Sequence, residues 1–245
     1  MSPFLFRLYV RELVASITSL GYGCNIGGMF VNLLCYADDM VLLAPSWPAL
    51  QNMLYTLESA AQSISMSFNT LKTLCMVFIP TCKRKIVCDS FPNFRLAGQD
   101  LAFVTSFKYL GHIIENTNTD DSDISREIKK LFSRTNLLVR KFNRCSVLVK
   151  VKLFTAYCLC FYDISLWRRF SVHSFTKFRS CYYKCMKVFF GYSKYSSVTQ
   201  MLLKLQLPSI NTVMHNATVS FHAISDAVAN CIVHAVNWCC SVSDA

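Results

Sequence analysis

The most constraining feature of this sequence is the stretch VNLLCYADDMVLLAP, residues 31–45, in which two adjacent carboxylates separate two apolar runs. Each run has the length and composition of a short strand, and the centre is rich in turn-forming residues. The pattern predicts a β-hairpin that carries Tyr36, Ala37, Asp38 and Asp39 at its turn. An Asp pair is ordinary turn chemistry, because Asp tolerates turn geometry and hydrogen-bonds to its own backbone. The alternative interpretation is that both carboxylates offer hard oxygen ligands to Mg²⁺, which keeps further positions for water and phosphate.

Helices and strands alternate on either side of this hairpin, from the N-terminus to about residue 115. Apolar residues at helical spacing predict an opening amphipathic helix, and Ser46 is the expected N-cap of a helix from about 47 to 65. The runs LCMVFIP and FVTSFKYLGHII predict a third strand and a strand or hairpin that ends at Gly111. This alternation is typical of an α+β fold.

The sequence becomes strongly basic and helical in pattern after the polar segment ENTNTDDSD. Residues 124–204 contain 17 of the 25 Lys and Arg, against Glu127 and Asp163 as the only acids. In the first predicted helix of this segment, apolar residues share one face and basic residues lie on the opposite face. The residues that we expect to contact nucleic-acid phosphates from this basic face are Arg126, Lys130, Arg134, Lys141 and Arg144. The alternative is an ordinary solvated helix face.

The net charge favours a polyanionic partner. A formal charge of +11 and a pI near 9.1 indicate nucleic acid first and an anionic membrane surface second. The N-terminus lacks the charged and then apolar pattern of a signal peptide, so we interpret the 13 Cys as reduced thiols. We expect an intracellular location, in cytoplasm or nucleus, and no transmembrane segment, because the apolar stretches are too short or too interrupted.

Four segments, MSPFLFRLYVREL, YGCNIGGMFVNLLCYADDMVLLAPS, FNTLKTLCMVF and FKYLGHII, occur in an order and spacing that resemble the reverse transcriptases of non-LTR, LINE-type retrotransposons. The resemblance is specific from residue 1 to about 115 and looser to about 215. It implies part of a right-hand polymerase palm, an antiparallel sheet with helices on one face, over residues 1–115. Residues 116–165 then resemble a helical thumb, and residues 166–245 the helical region that follows it.

The resemblance also implies roles for individual residues. Asp38 and Asp39 correspond to catalytic carboxylates that hold Mg²⁺ in a two-metal site. Lys72 of the N-x-x-K-T motif corresponds to a catalytic group that neutralises charge or donates a proton at the departing pyrophosphate. The residues expected on the nucleotide side are Ser2, Pro3, Asn69 and Thr73. The residues expected at the primer terminus or along the primer strand are Tyr36, Phe107, Tyr109, Leu110 and Gly111.

The family pattern also contains parts that this sequence lacks ahead of Ser2, namely a Gly-rich turn, the fingers and a palm strand with another catalytic Asp. We therefore expect a truncated reverse transcriptase with an incomplete two-metal site, which binds an RNA template and a DNA primer but does not polymerise alone. Two alternatives stay open. One is a non-catalytic remnant that binds nucleic acid, and the other is one subunit of a split polymerase whose missing N-terminal part is a separate partner.

Overall fold

The computed structural model of the protein describes residues 3–26, 28–80, 91–234 and 236. This described part forms two compact units, of which one is residues 105–224 and the other comprises the residues on either side of that range. The division thus falls before the predicted limit at residue 115, because the hairpin within FVTSFKYLGHII belongs to the second unit. The predicted limits at 115 and 165 stay predictions.

The described residues up to Val104 contain three helices and several short strands. The helices are α1 (Pro3–Tyr9), α2 (Arg11–Thr18) and α3 (Trp47–Ser63). The strands are β1 (Cys24–Ile26), β2 (Met29–Val31), β3 (Leu33–Tyr36), β4 (Asp39–Leu42), β5 (Leu74–Cys75), β6 (Arg95–Leu96), β7 (Gln99–Asp100) and β8 (Ala102–Phe103). The predicted opening helix is interrupted at Val10, and α3 begins directly after its N-cap residue Ser46, as expected.

The strands do not form the single antiparallel sheet that the resemblance implies. In the described ranges they form separate two-stranded pairs, antiparallel for β1–β2, β3–β4 and β6–β7 and parallel for β5–β8. The run MFVNLLC is divided between two hairpins, because the buried Asn32 between them donates from Nδ2 to the Ile17 carbonyl at 2.9 Å. The α+β class is confirmed, with less sheet than expected.

Helix α3 contributes to two cores of this unit, because apolar side chains occupy more than one of its faces. Met53 packs with Leu13 and Ile17 of α2 in one core. Leu54 packs with Phe94 and with strand β5 in the other. The helix is therefore the element to which both α2 and the later strands of the unit attach.

The second unit is a hairpin followed by helices. The hairpin pairs β9 (Ser106–Tyr109) with β10 (His112–Glu115), and the helices are α4 (Asp121–Phe142), α5 (Val147–Cys158), α6 (Val172–Phe190), α7 (Val198–Leu205) and α8 (Ile210–Ala227), the last of which runs past residue 224. The core of this unit contains Leu131, Phe154, Phe178 and Tyr182, all completely buried. The helical character predicted for this segment is confirmed. Among the helices that can be described, none has the length and apolar character needed to cross a membrane.

Candidate functional site

The acidic turn is formed by the β3–β4 hairpin, as the sequence predicts. Tyr36 pairs with Asp39, which leaves Ala37 and Asp38 as a two-residue turn. Ala37 adopts a φ of 53°, in the left-handed region, and this conformation allows the chain to reverse direction within two residues. Asp38 therefore lies at the tip of the hairpin, and Asp39 begins the returning strand.

One face of this hairpin packs on helices. Leu33, Met40 and Leu42 contact the core that α2 and α3 form. Successive strand side chains point to opposite faces, and accordingly Leu34 is 37% exposed and Tyr36 is 64% exposed. The packed face holds the base of the hairpin, while the acidic turn stays in solvent.

The two carboxylates are free to bind a cation. Asp38 and Asp39 are exposed, and neither carboxylate forms a hydrogen bond or an ion pair in the part of the chain that the structure describes. Free carboxylate oxygens are suitable ligands for a hard divalent cation such as Mg²⁺. No described group of three metal-ligating side chains includes either residue. The turn thus offers two carboxylates, which is fewer than two-metal chemistry normally uses.

The N-x-x-K-T motif forms a compact turn ahead of β5. Asn69 Oδ1 accepts a hydrogen bond from the Lys72 N–H at 3.2 Å, and the Asn69 carbonyl accepts from the N–H and the hydroxyl of Thr73 at 3.0 and 2.9 Å. Asn69 and Thr73 thus order the turn, and the Lys72 side chain is exposed on it. Of the other residues predicted on the nucleotide side, Pro3 begins α1 and Ser2 lies outside the described residues.

The residues predicted to contact the primer strand lie on the β9–β10 hairpin. Its turn consists of Leu110 and Gly111, with φ of 46° and 95°, and the left-handed conformation at both residues is the one that two-residue hairpin turns favour. Leu110 is 40% exposed, whereas Phe107 and Tyr109 are partly buried. A Cβ atom at Gly111 would lie 3.5 Å from the ring of Tyr162, so that ring lies directly against the turn.

A group of charged side chains that sequence reasoning did not identify lies beside this hairpin. We call it the ion cluster and define it as the acids Asp120, Asp123, Glu127 and Asp163 with the bases His112, Arg126, Lys130 and Arg134. Asp123 is completely buried at its centre, 2.8 Å from Arg126 Nε and 3.2 Å from His112 Nδ1. Trp167 Nε1 and the Ile113 N–H also donate to Asp123, at 2.8 and 2.9 Å. The equal number of opposite charges offsets the desolvation of the buried carboxylates.

The sequence contained only weak signals of the ion cluster. Asp123 and Arg126 are three residues apart and therefore on one face of a helix, but this spacing is common on exposed helices. Asp163 is one of two acids among the many bases of residues 124–204. Its contact with Arg126 joins residues 37 positions apart, and such a contact depends on how α4 packs against the following segments.

The neighbouring acids change the protonation of His112. Asp120, followed by Asp123 and Asp163, raises the pKa of His112 to about 11. Burial raises the pKa of Asp123, but hydrogen bonds from His112, Trp167 and the Ile113 amide outweigh burial and hold that pKa below its usual range. His112 is therefore positively charged and Asp123 negatively charged at neutral pH.

The position of Arg126 corrects one prediction made from the sequence. Its side chain is only 12% exposed, and it donates hydrogen bonds to the Gly111 carbonyl and to the Asp163 carboxylate. Helical periodicity placed Arg126 on the basic face, but its guanidinium turns toward the buried acids at the start of α4. It therefore stabilises the unit from within and is not available to a phosphate.

The other predicted phosphate contacts differ in their surroundings. Lys130 and Arg134 face Glu127 at 3.6 and 3.1 Å, with 40% and 28% of their side chains exposed. Lys141 and Arg144 are exposed near the C-terminal end of α4. Of the five predicted phosphate contacts, the two most exposed therefore lie toward that end of the helix.

The ion cluster also contains the one close group of three potential metal ligands in the described ranges. Ligand atoms of His112, Asp123 and Asp163 lie within 4.8 Å of one another. A divalent cation there would meet the guanidinium of Arg126, 2.8 Å from Asp123, and the charged imidazole of His112. Because these cations already neutralise the carboxylates, the group does not fit a metal ion. The free oxygens of the acidic turn fit one better.

The raised pKa of His112 makes the stability of this unit depend on pH. The pKa is about 11 in the folded chain and about 6.5 in an unfolded one, so the contribution of His112 is complete below about pH 6.5 and declines as the pH rises above it. We expect this contribution to the free energy of unfolding to fall by up to about 1.4 kcal/mol per pH unit in that window. Urea unfolding of the unmodified chain from about pH 6 to about pH 9.5 should show a steeper decline than unfolding of His112→Gln.

The comparison with His112→Gln removes the contribution of other groups, because thiols, lysines and tyrosines titrate in both proteins. His112 pairs with Asp120 directly before α4, with Asp123 of α4 and with Asp163 of a later segment, and Arg126 pairs with the last two acids. The titration of His112 is therefore coupled to that of the whole cluster. The lowered pKa of Asp123 acts at the acidic end, where its contribution is lost as the pH falls below about 3.9. Parallel pH dependences in the two proteins would show that His112 gains no charge stabilisation from folding.

Comparison with known proteins concerns mainly the first half of the chain. Residues 1–114 match the family model described as reverse transcriptase (RNA-dependent DNA polymerase). The retrovirus-related Pol polyprotein from type-1 retrotransposable element R2 of Popillia japonica is 32% identical over 120 residues. This alignment covers 46% of the present chain and 16% of the polyprotein, so the chain corresponds to a small part of that relative.

Proposed function

Because residues 1–114 of this chain belong to the reverse transcriptase (RNA-dependent DNA polymerase) family, in its non-LTR retrotransposon form, we propose that the chain serves RNA-directed DNA synthesis. Its acidic turn holds Mg²⁺, and its helical unit contacts the template–primer duplex. The observation that carries the proposal is the pair Asp38 and Asp39, exposed and unpaired among the described residues, on a hairpin that packs against α2 and α3. Two adjacent carboxylates without a partner among the described residues supply oxygen ligands of the kind that Mg²⁺ binds.

The proposal assigns a different role to each of several residues of the first unit. Mg²⁺, when bound, supplies the positive charge that stabilises the primer 3′ oxygen and the departing pyrophosphate. Asp38 and Asp39 hold the ion, and Tyr36, 64% exposed, lies beside them for contact with the primer terminus. Lys72 brings a further positive charge or a proton to the pyrophosphate, from a turn that Asn69 orders.

The second unit contributes nucleic-acid contacts in this proposal. The β9–β10 hairpin presents Leu110 at its tip and contacts the primer strand, and α4 acts as a thumb helix along the duplex. The exposed basic residues Lys141 and Arg144 contact phosphates, and Lys130 and Arg134 add to them through the exposed part of their side chains. Affinity that depends on phosphates is expected to decrease as the salt concentration rises.

The acidic turn is tested with Asp38→Asn. Neutralising one of two carboxylates is expected to weaken binding of a divalent cation by at least about tenfold, because affinity depends on the number of charged ligands. Mn²⁺ is the probe, and the NMR lines of the amides in β3, β4 and their turn report its binding through paramagnetic broadening. The same variant is expected to abolish any extension of a DNA primer on an RNA template in the presence of Mg²⁺ and nucleotides.

Asp100→Asn is the matched control. Asp100 is an exposed acid on another hairpin of the same unit and pairs with Arg95 at 2.9 Å. Its neutralisation removes the same charge and is expected to change neither the broadening near Asp38 nor extension. Equal broadening in Asp38→Asn and the unmodified chain would show that the turn is not a cation site.

A second function, binding of nucleic acid without synthesis, is favoured by the 17 Lys and Arg of residues 124–204. Titration of the chain with an RNA template annealed to a DNA primer, at low and physiological salt, separates the two functions. Salt-sensitive binding without extension would support the binding function, and extension that requires Asp38 would support synthesis. Absence of both would contradict both proposals.

A further inference from the structure

The turn of the β9–β10 hairpin is held on helix α4 by its backbone. In the turn itself, the Gly111 carbonyl accepts a hydrogen bond from the Arg126 guanidinium. Two residues later, on β10, the Ile113 N–H donates to Asp123 Oδ1 at 2.9 Å. Because both contacts use backbone atoms, they determine where the turn lies whichever side chains it carries.

Replacement of the Asp123 carboxylate, even by an amide of the same size, is expected to disrupt several buried contacts. Its carboxylate accepts hydrogen bonds from the Ile113 amide and from Trp167 Nε1, and it forms ion pairs with His112 and Arg126. The residue is completely buried, so water does not replace a lost partner. An Asn at this position would bring its own N–H group against at least one of these donors, and it would leave His112 and Arg126 with less compensating charge.

We propose that Asp123 is a positioning residue that, through Arg126 and the Ile113 amide, sets the location of the β9–β10 turn and thereby its contact with the primer strand. The part of this inference that concerns the primer rests on the proposed function. The part that concerns the position of the turn does not. Asp123 is buried and touches no substrate, so its effect is exerted through the backbone of residues 111–113.

The inference is tested with Asp123→Asn and the matched control Asp121→Asn. Asp121 is on the same helix two positions earlier, and its carboxylate accepts from the N–H and hydroxyl of Ser171 at 2.9 and 3.1 Å, away from the hairpin. Hydrogen exchange followed by NMR is expected to show at least about tenfold faster exchange of the Ile113 amide in Asp123→Asn. In Asp121→Asn the faster exchange should be limited to residues near Ser171.

Duplex binding supplies a readout that a purely structural role would leave unchanged. In Asp123→Asn the dissociation constant for an RNA template annealed to a DNA primer is expected to rise about tenfold, with the same slope against salt, because the phosphate-contacting side chains are intact. Asp121→Asn is expected to bind as the unmodified chain does. Unchanged exchange at Ile113 in Asp123→Asn, or faster exchange with unchanged affinity, would overturn the inference.

The experiment also gives a decision if the unmodified chain does not bind the duplex or if the variant does not fold. If the unmodified chain binds no duplex, the proposed function and the primer part of the inference both fail, while the exchange data still decide whether Asp123 positions the turn. If Asp123→Asn does not fold, exchange in the unmodified chain decides instead. Protection of the Ile113 amide equal to that of core amides in α4 supports the inference, and the fast exchange of an exposed strand overturns it.

Discussion

Replacement of Arg126 by Ala is expected to lower the free energy of unfolding of the helical unit by about 3–5 kcal/mol, because it leaves buried carboxylates without their main counter-charge. Arg126 lies against Asp123, Asp163 and Glu127, and two of these acids are completely buried and the third nearly so. The Gly111 carbonyl would lose its donor as well. Urea unfolding followed by the fluorescence of Trp167, which is buried beside the cluster, measures the change.

Lys130→Ala is the control for this prediction. Lys130 is on the same helix and faces Glu127 at 3.6 Å, but 40% of its side chain is exposed. Exposed ion pairs contribute about 0–1 kcal/mol, so this variant is expected to unfold at nearly the same urea concentration as the unmodified chain. Similar small losses for both variants would mean that Arg126 is solvated, as helical periodicity suggested, and that the ion cluster contributes little.

Replacement of Phe154 by Ala is expected to destabilise the same unit by about 3–5 kcal/mol through loss of apolar burial and creation of a cavity. The ring is completely buried, and its centroid lies 6.1 Å from that of Tyr182, 6.3 Å from that of Phe189 and 5.8 Å from that of Phe190. These rings belong to α6, so the loss falls on the contact between α5 and α6. The midpoint of urea unfolding and hydrogen exchange in both helices measure it.

Leu148→Ala is the matched control on helix α5. Leu148 is 68% exposed, and its truncation is expected to change the free energy of unfolding by no more than about 0.5 kcal/mol. A loss for Phe154→Ala that did not exceed that of Leu148→Ala would show that α5 does not pack on α6 in the way described.

The two units bring different chemistry to the proposed function. The first presents two carboxylates, Asp38 and Asp39, with no bound partner among the described residues. In the second, the acids near the hairpin are neutralised by His112 and Arg126. Of these two sites, only the first presents carboxylates that lie in solvent with no cationic partner among the described residues, as a divalent-cation site requires. In the two proposals the same residue type therefore has a binding role in one unit and a positioning role in the other.

Local chemistry explains which parts of the fold were predictable. The acidic hairpin and the helix that begins after Ser46 follow from turn residues, capping and periodicity, which act over a few neighbouring positions. The predicted single sheet was wrong because pairing between distant strands depends on long-range contacts, which a few neighbouring residues do not determine. The run MFVNLLC has the composition of one strand, but the buried hydrogen bond of Asn32 to Ile17 divides it between two hairpins.

The residues of the acidic turn, of the N-x-x-K-T motif and of the β9–β10 turn could be located from the sequence because each is a short contiguous pattern. The surroundings of a charged side chain could not be predicted from the sequence in this way. Arg126 and Lys141 are both basic residues of one amphipathic helix, yet packing buries the first among acids and leaves the second in solvent. That difference arises because residues 163–167 bring Asp163 and Trp167 against the start of α4, and the free energy of a buried charge depends on such long-range partners.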